Sequence, residues 1–226
     1  MNNVFVGYDS REDEAWKVCF SSIIKRTDSN CKVTPIIQQE LRKNKFYRRP
    51  IDAHASTEFS LTRFLVPFLM QYEGWAVYCD CDFLWLDDID NLLSLADSKY
   101  AVQVVKHEYS PTNTVKMDGK AQHLYPRKNW SSMVLWNCGH PSNYKVDLDL
   151  VNNATPAFLH RFQWLNDFEI GSLSVEWNWL VGWYNKEEYS PKAVHFTEGG
   201  PWMKGYESVD FAEEWVREYN ELNLPR

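Results

Sequence analysis

Trp75-Ala76-Val77-Tyr78-Cys79-Asp80-Cys81-Asp82-Phe83-Leu84-Trp85 runs from an apolar, β-prone stretch into two carboxylates one residue apart. The apolar part reads as a buried strand. In an extended chain, side chains at i and i+2 share a face, so Asp80 and Asp82 are expected to point the same way where the strand emerges. Two carboxylates that close repel one another and raise each other's pKa unless a cation or solvent relieves them. In open α/β sheets, the carboxyl ends of the strands are where ligands bind. The stretch therefore reads as a metal clamp for a nucleotide diphosphate, with two solvated acids in a strand-end turn as the alternative.

Working outward, strand and helix signals alternate, which is the pattern of an α/β fold with a mostly parallel sheet. Val4-Phe5-Val6 is a short buried strand ending in Gly7-Tyr8-Asp9-Ser10, and Ala15, Trp16, Cys19, Phe20, Ile23 and Ile24 recur with helical period. Residues 33–37 form a second strand weakened by Pro35. Residues 38–57 read as a polar, basic surface loop. Residues 58–72 read as an apolar helix, with Pro67 marking a kink or a late start. A short helix over 88–95 and a strand over 100–105 follow, then a polar loop over 107–130. Met133–Trp136 is a strand, and Phe158, Leu159, Phe162 and Leu165 mark a helix. Val194–Phe196 is the last strand, and Phe211 to Leu222 is a closing helix.

The chain has 226 residues and no repeat or linker, so one domain over 1–226 is expected. A net charge of −7 argues against nucleic acid, which needs a basic footprint. It does not exclude a phosphate ligand, because a metal can supply the positive charge. No run of eighteen apolar residues marks a membrane span, and Met1-Asn2-Asn3-Val4 lacks the marks of a signal peptide. Cysteines 19, 31, 79, 81 and 138 are odd in number and lack zinc spacing, so reduced thiols and a cytoplasmic location are expected. Eleven Trp and twelve Tyr are numerous enough to supply stacking platforms as well as core.

Several residues can carry chemistry. Arg63 lies in a helix apolar on nearly every face, and a buried guanidinium needs an anion: Asp80 and Asp82, or a donor phosphate. Its alternative is an Arg that snorkels to the surface. Gly7 lets backbone approach a ligand, Tyr8 can stack on a base and Asp9 can accept a hydrogen bond from it; an ordinary strand-to-helix turn is the alternative. His195 can complete a metal set with Asp80 and Asp82, and two oxygens with one nitrogen suit Mn2+ better than Ca2+. Gly199 and Gly200 can turn backbone amides toward a phosphate, with Lys204 as countercharge. Asp167 and Glu169, in Asn166-Asp167-Phe168-Glu169, can bind sugar hydroxyls or stabilise an oxocarbenium-like centre. Asn137 can touch the donor, and Trp177, Trp179, Trp183 and Trp202 can form an acceptor platform.

Taken in order, Gly7-Tyr8-Asp9, Leu61-Thr62-Arg63, Asp80-Cys81-Asp82, Ser132-Met133-Val134-Leu135-Trp136-Asn137, Asn166-Asp167 and His195-Phe196…Pro201-Trp202 resemble the GT-A glycosyltransferases. The likeness is greatest to glycosyltransferase family 8 and covers residues 4–205. The resemblance implies a GT-A-like, Rossmann-like sheet flanked by helices. It implies a nucleotide-sugar donor, most often UDP-linked, and a glycan or other hydroxyl acceptor. It also implies Mn2+ (or Mg2+) on Asp80, Asp82 and His195, and transfer with retention. Arg63 matches the family arginine that supports the metal site and donor. The family ending H-F-x-G-x-x-K-P-W is one residue shorter here, Gly200 stands before Pro201, and Lys204 is left to replace the missing lysine. Acceptor pockets are built by loops, here 38–57 and 107–130.

Two other readings remain open. Haloacid dehalogenase-type phosphatases also place D-x-D after a strand, but with Thr or Val two residues after the second Asp, where Leu84 stands here. A non-catalytic sugar- or nucleotide-binding protein on a degenerate transferase fold is the third.

Overall fold

Alternating burial decides how the central sheet is covered. In β1 (Asn2–Gly7) Val4 and Val6 pack on one face with Val77 and Cys79 of β3 (Trp75–Cys79), while Phe5 packs on the other with Ala76 and Tyr78. The period of two along each strand sends alternate side chains into two separate cores. The computed structural model describes residues 1–52, 55–107 and 127–222.

The sheet has six strands in the order β2-β1-β3-β6-β5-β7, completed by β2 (Cys31–Ile36), β5 (Val102–Val105), β6 (Met133–Asn137) and β7 (Ile170–Leu173). All strands run the same way except β6, which is antiparallel to β3 and β5. β2 is an edge strand, so Pro35, paired with Val6, needs no N–H for an outer neighbour.

Helix α1 (Asp13–Arg26) covers one face with Cys19 and Ile23, and carries acids in its first turn and bases in its last, matching its dipole. The other face is covered by Phe64, Leu65 and Val66, by α5 (Leu148–Asn153) and by the segment holding Phe162 and Trp164. β4 (Phe83–Trp85), β8 (Trp179–Leu180) and β9 (Ala193–His195) form a second, three-stranded sheet. This sheet packs with Val18 of α1 and Trp215 of the closing helix α7 (Ala212–Leu222). Among the described residues no helix is long and apolar enough to cross a membrane.

Three details differ from the sequence expectation. Residues 38–57 are not all loop, because Gln38–Lys43 forms α2 around the buried Leu41. The apolar stretch 58–72 is not one helix. A 3₁₀ turn over Thr62–Leu65 leads into a short α3 (Val66–Leu69) with Pro67 in its first turn, where the missing N–H is harmless. Gln71 and Tyr72, both at positive φ, then end it. The helix expected around 158–165 is only α6 (Pro156–His160). The short helix over 88–95 is α4 (Ile89–Leu93). Of the loop expected over 107–130, residues 108–126 lie outside the described residues.

Trp136 is fully buried among Phe162 and Trp164. Trp136→Ala is expected to cost about 3–5 kcal/mol, read as a lowered midpoint in urea unfolding. A loss below about 1 kcal/mol would contradict this packing.

Candidate active site

The site is built where the chain leaves one sheet for the other. β3 ends at Cys79 and β4 begins at Phe83, so Asp80-Cys81-Asp82 is the crossover turn rather than a continuation of the strand. The two carboxylates converge because of this turn, and not through the strand alternation expected from sequence. Asp80 N–H donates to Ser132 O at 2.9 Å, and Asp82 O accepts from Phe196 N–H at 3.0 Å. Antiparallel pairing of β4 with β9 sets His195 opposite Phe83, with the rings stacked at 4.4 Å. One ligand atom from each of Asp80, Asp82 and His195 lies within 4.8 Å of the others.

Arg63 is buried beneath Asp80. Its Nη1 lies 2.9 Å from Asp80 Oδ1 and 3.1 Å from Oδ2, and donates to Ser131 O at 2.9 Å, while Nε donates to Ser60 O at 3.0 Å. The rings of Phe59 and Tyr78 flank the guanidinium, each 5.4 Å from it. Tyr78 Oη also donates to Asp80 Oδ1, at 2.8 Å. Even so, burial pushes Asp80 up to about 6, with Asp82 adding to the rise and Arg63 opposing it. Asp82 behaves oppositely. Burial works against its charge, but His195 and its hydrogen bond hold the carboxyl below its ordinary range. Environment thus separates two neighbouring carboxylates, as expected at functional sites.

The cluster has the chemistry of a divalent-cation site. Asp82 Oδ1 is buried and makes no hydrogen bond. Asn178 Nδ2 donates to Ser132 Oγ at 3.0 Å and to Asn129 O at 3.3 Å, which turns its Oδ1 toward His195 Nδ1 at 2.9 Å. With its proton on Nδ1, His195 points the lone pair of Nε2 at Asp82 Oδ2, 3.4 Å away. The hydrogen bond that holds Asp82 down therefore needs a second proton on the ring, and a cation between Nε2 and Oδ2 can take that proton's place. An amide oxygen fixing the far nitrogen of a ligating histidine is the usual outer support of such a site.

These groups open into a cavity of about 450 Å³, also lined by Glu12, His160, Gly199 and Lys204. Glu12 is pushed up to about 7, by burial first and then by Asp82 and Asp9. His160 is held neutral by burial, at about 3, and sits between Ser131 Oγ at 2.8 Å and Ser60 Oγ at 3.4 Å. Glu12, Asn178 and His160 were not singled out from sequence, and Ser132 entered only as the first residue of a strand motif. Only Asn178 carried a signal, a buried-type Trp177-Asn178 pair among aromatics.

Other expected site residues stand elsewhere. A Cβ at Gly7 would lie 2.5 Å from the Phe59 ring and 2.7 Å from Tyr78 Oη, so this glycine makes room for the two rings that flank Arg63. Tyr8 Oη donates to Asp13 at 3.1 Å, and its ring meets Trp16 edge-on. Asp9 is fully buried and accepts from Arg11 N, Nε and Nη2 and from Glu58 N. Its carboxylate is therefore occupied by the chain itself rather than offered to a base. Asn137 pairs with Trp75, at the far end of β3 from Asp80, because β6 runs antiparallel. Its amide donates to Tyr100 O.

Glu169 precedes β7 at that same far edge, where it accepts from Asn166 N–H at 2.8 Å and from Ser142 Oγ. Asp167 is largely exposed and pairs with Arg127 at 2.5 Å. Neither acid lines the cavity. Gly200 lies under the Trp202 ring, 2.0 Å from where its Cβ would be. Trp177 and Trp179 are core rather than platform.

The chain superposes on solved GT-A glycosyltransferases over nearly its whole length, and the molecule has the GT-A fold. The bifunctional glycosyltransferase WbbM superposes with a TM-score of 0.66 at 17% identity, over 99% of this chain but 50% of that one. GlyE of Streptococcus pneumoniae TIGR4 gives 0.64 at 14%, over 96% of this chain and 60% of that one. The galactosyltransferase LgtC, solved with donor and acceptor sugar analogs, gives 0.59 at 11%, over 99% and 97%. No protein-family model matches the chain. It is 53% identical over 224 residues to Protein CDI of Arabidopsis thaliana, across 97% of this chain and 86% of that protein. The chain belongs to the family of Protein CDI.

Because ligating carboxylates must be deprotonated and Asp80 sits at about 6, a divalent cation on this cluster would have to displace its proton below that pH. Mn2+ affinity, measured by titration calorimetry, is expected to fall about tenfold per pH unit from pH 6 to pH 5 and to level off above pH 7. A flat profile from pH 5 to pH 7 would contradict the assignment of Asp80.

Proposed function

We propose that this protein is a metal-dependent glycosyltransferase, 1–226 forming one catalytic domain. It would transfer a sugar from a nucleotide-sugar donor, UDP-linked, to a glycan or other hydroxyl acceptor, with retention at the anomeric carbon. The observation that carries this reading is the meeting of Asp80, Asp82 and His195 in one cavity of a GT-A fold. The order of motifs resembles that of family 8, which supports this reading.

In this reading Asp80, Asp82 and His195 hold Mn2+ or Mg2+. When bound, the cation supplies the positive charge that neutralises a departing diphosphate. Arg63 keeps Asp80 in place and compensates its buried charge. Asn178 keeps the Nε2 lone pair of His195 turned inward. Lys204, at the cavity wall, stands where a diphosphate needs a cation and takes the role of the lysine missing before Pro201. Closure of the segment 199–204 excludes water and limits donor hydrolysis. Asp167, Glu169 and Asn137 have no part in it, since the fold carries them away from the cavity.

A phosphatase of the D-x-D type fits poorly. Its first Asp must be a free nucleophile, whereas both oxygens of Asp80 are held by Arg63 and Tyr78.

Asp82→Ala is expected to abolish Mn2+-dependent UDP binding in calorimetry. Asn178→Leu, which removes only the orienting amide, is expected to weaken Mn2+ about ten- to a hundredfold with the fold intact by circular dichroism. Unchanged UDP binding in Asp82→Ala would overturn the metal assignment.

A further inference from the structure

A second cavity, of about 670 Å³, opens beside the first and shares Thr57 and Ser60 with it. Its wall is built by residues within 38–52 and 55–61, the basic segment after β2, together with Arg11 and Pro156. No residue of the metal cluster lines it, so the two cavities are separate chambers with a common rim.

Charge distinguishes this chamber. Arg42 is half-buried with its guanidinium 4.8 Å above the Tyr47 ring. It donates from Nε to Gln38 Oε1 and from Nη1 to Arg49 O. Arg49, also half-buried, donates from Nε to Val151 O and from Nη2 to Ala154 O. Among the described residues, both guanidinium groups meet neutral oxygens and neither forms an ion pair. The two acids of the wall are Asp52, which is exposed, and Glu58, which accepts from Ser10 Oγ and N. Arg11, by contrast, is neutralised by Asp9 at 2.6 Å. Two half-buried guanidinium groups held only by neutral oxygens each gain a charge-assisted hydrogen bond when an anion arrives. They belong to a locally basic segment in a chain whose net charge is −7.

We infer that this second cavity is the acceptor subsite and that the acceptor is a polyhydroxylated molecule carrying an anionic group, phosphate or carboxylate, held by Arg42 and Arg49. The inference rests on the transferase reading above. The anionic end would lie against the two arginines, and a hydroxyl would reach the shared rim at Thr57 and Ser60, where the first cavity begins. A guanidinium fork discriminates such a group from a neutral sugar by geometry as well as charge.

The test uses the full chain and three probes, glucose 6-phosphate, glucuronate and glucose, titrated by calorimetry without metal. One or both anionic probes are expected to bind at least about tenfold more tightly than glucose, and the stronger of the two names the group. Arg42→Gln should remove that preference. Because Arg42 also packs on Tyr47, Ile51→Glu is the second variant. Ile51 is 83% exposed on the cavity wall, so the substitution spares the fold while adding a repelling charge, and it should weaken the anionic probe about tenfold while leaving glucose unchanged. Asp82→Ala, which tests the first cavity, should leave anionic-probe binding intact.

Equal binding of all three probes would overturn the inference. So would a preference insensitive to Ile51→Glu, or displacement of the anionic probe by UDP with Mn2+, which would give the cavity to the nucleotide. In any of these cases, retained Mn2+-dependent UDP binding leaves the transferase reading standing.

Discussion

The contact on which the site depends is the buried pair of Arg63 and Asp80. It sits where the chain crosses from the central sheet to the smaller one, beneath the only cluster of metal-type ligands among the described residues. Neither charge is tolerable alone at that depth. Arg63 is held by Asp80, by the carbonyls of Ser60 and Ser131 and by two aromatic rings. Asp80 is held by Arg63 and Tyr78. The pair thereby ties the turn before α3, the end of β3 and the approach to β6 into one rigid floor. On that floor Asp82 and His195 are aimed at the same point.

The remaining geometry follows from topology. A three-residue crossover leaves Asp82 at the start of β4, and antiparallel pairing with β9 brings His195 from more than a hundred residues away. Gly7, at the end of β1, is a glycine because Phe59 and Tyr78 fill the space of its side chain. The site is thus supported from below by strand ends and by aromatic rings, while loops form its walls.

Much of this was legible in the residues. Asp80, Asp82, Arg63 and His195 belong to types that are costly to bury; the acids and the histidine stand at the ends of apolar runs and Arg63 within one, so each asks for a partner. The first strand and helix, β3, the short helix after it and β5 were equally plain. What the chain conceals are long-range consequences. The reversed direction of β6 sends Asn137 away from the site, and no local pattern records strand direction. Glu169 looks like a catalytic acid until β7 pairs with β5 and its carboxylate caps a turn at the wrong edge. β4, β7 and β8 hold three, four and two residues, too short for a period to show. Asn178 is a support whose purpose exists only once Ser132 and His195 are brought to it.

The central claim is that the cluster binds a cation and, through it, a nucleotide. Thermal unfolding with a panel of nucleoside diphosphates and nucleotide sugars, each with and without Mn2+, tests this directly, since a ligand of the folded state must raise the midpoint. The account predicts a rise with a uridine nucleotide only when Mn2+ is present. No rise with any nucleotide, in the presence of metal, would contradict it and leave Asp80 and Asp82 as acids that serve only the crossover between the sheets.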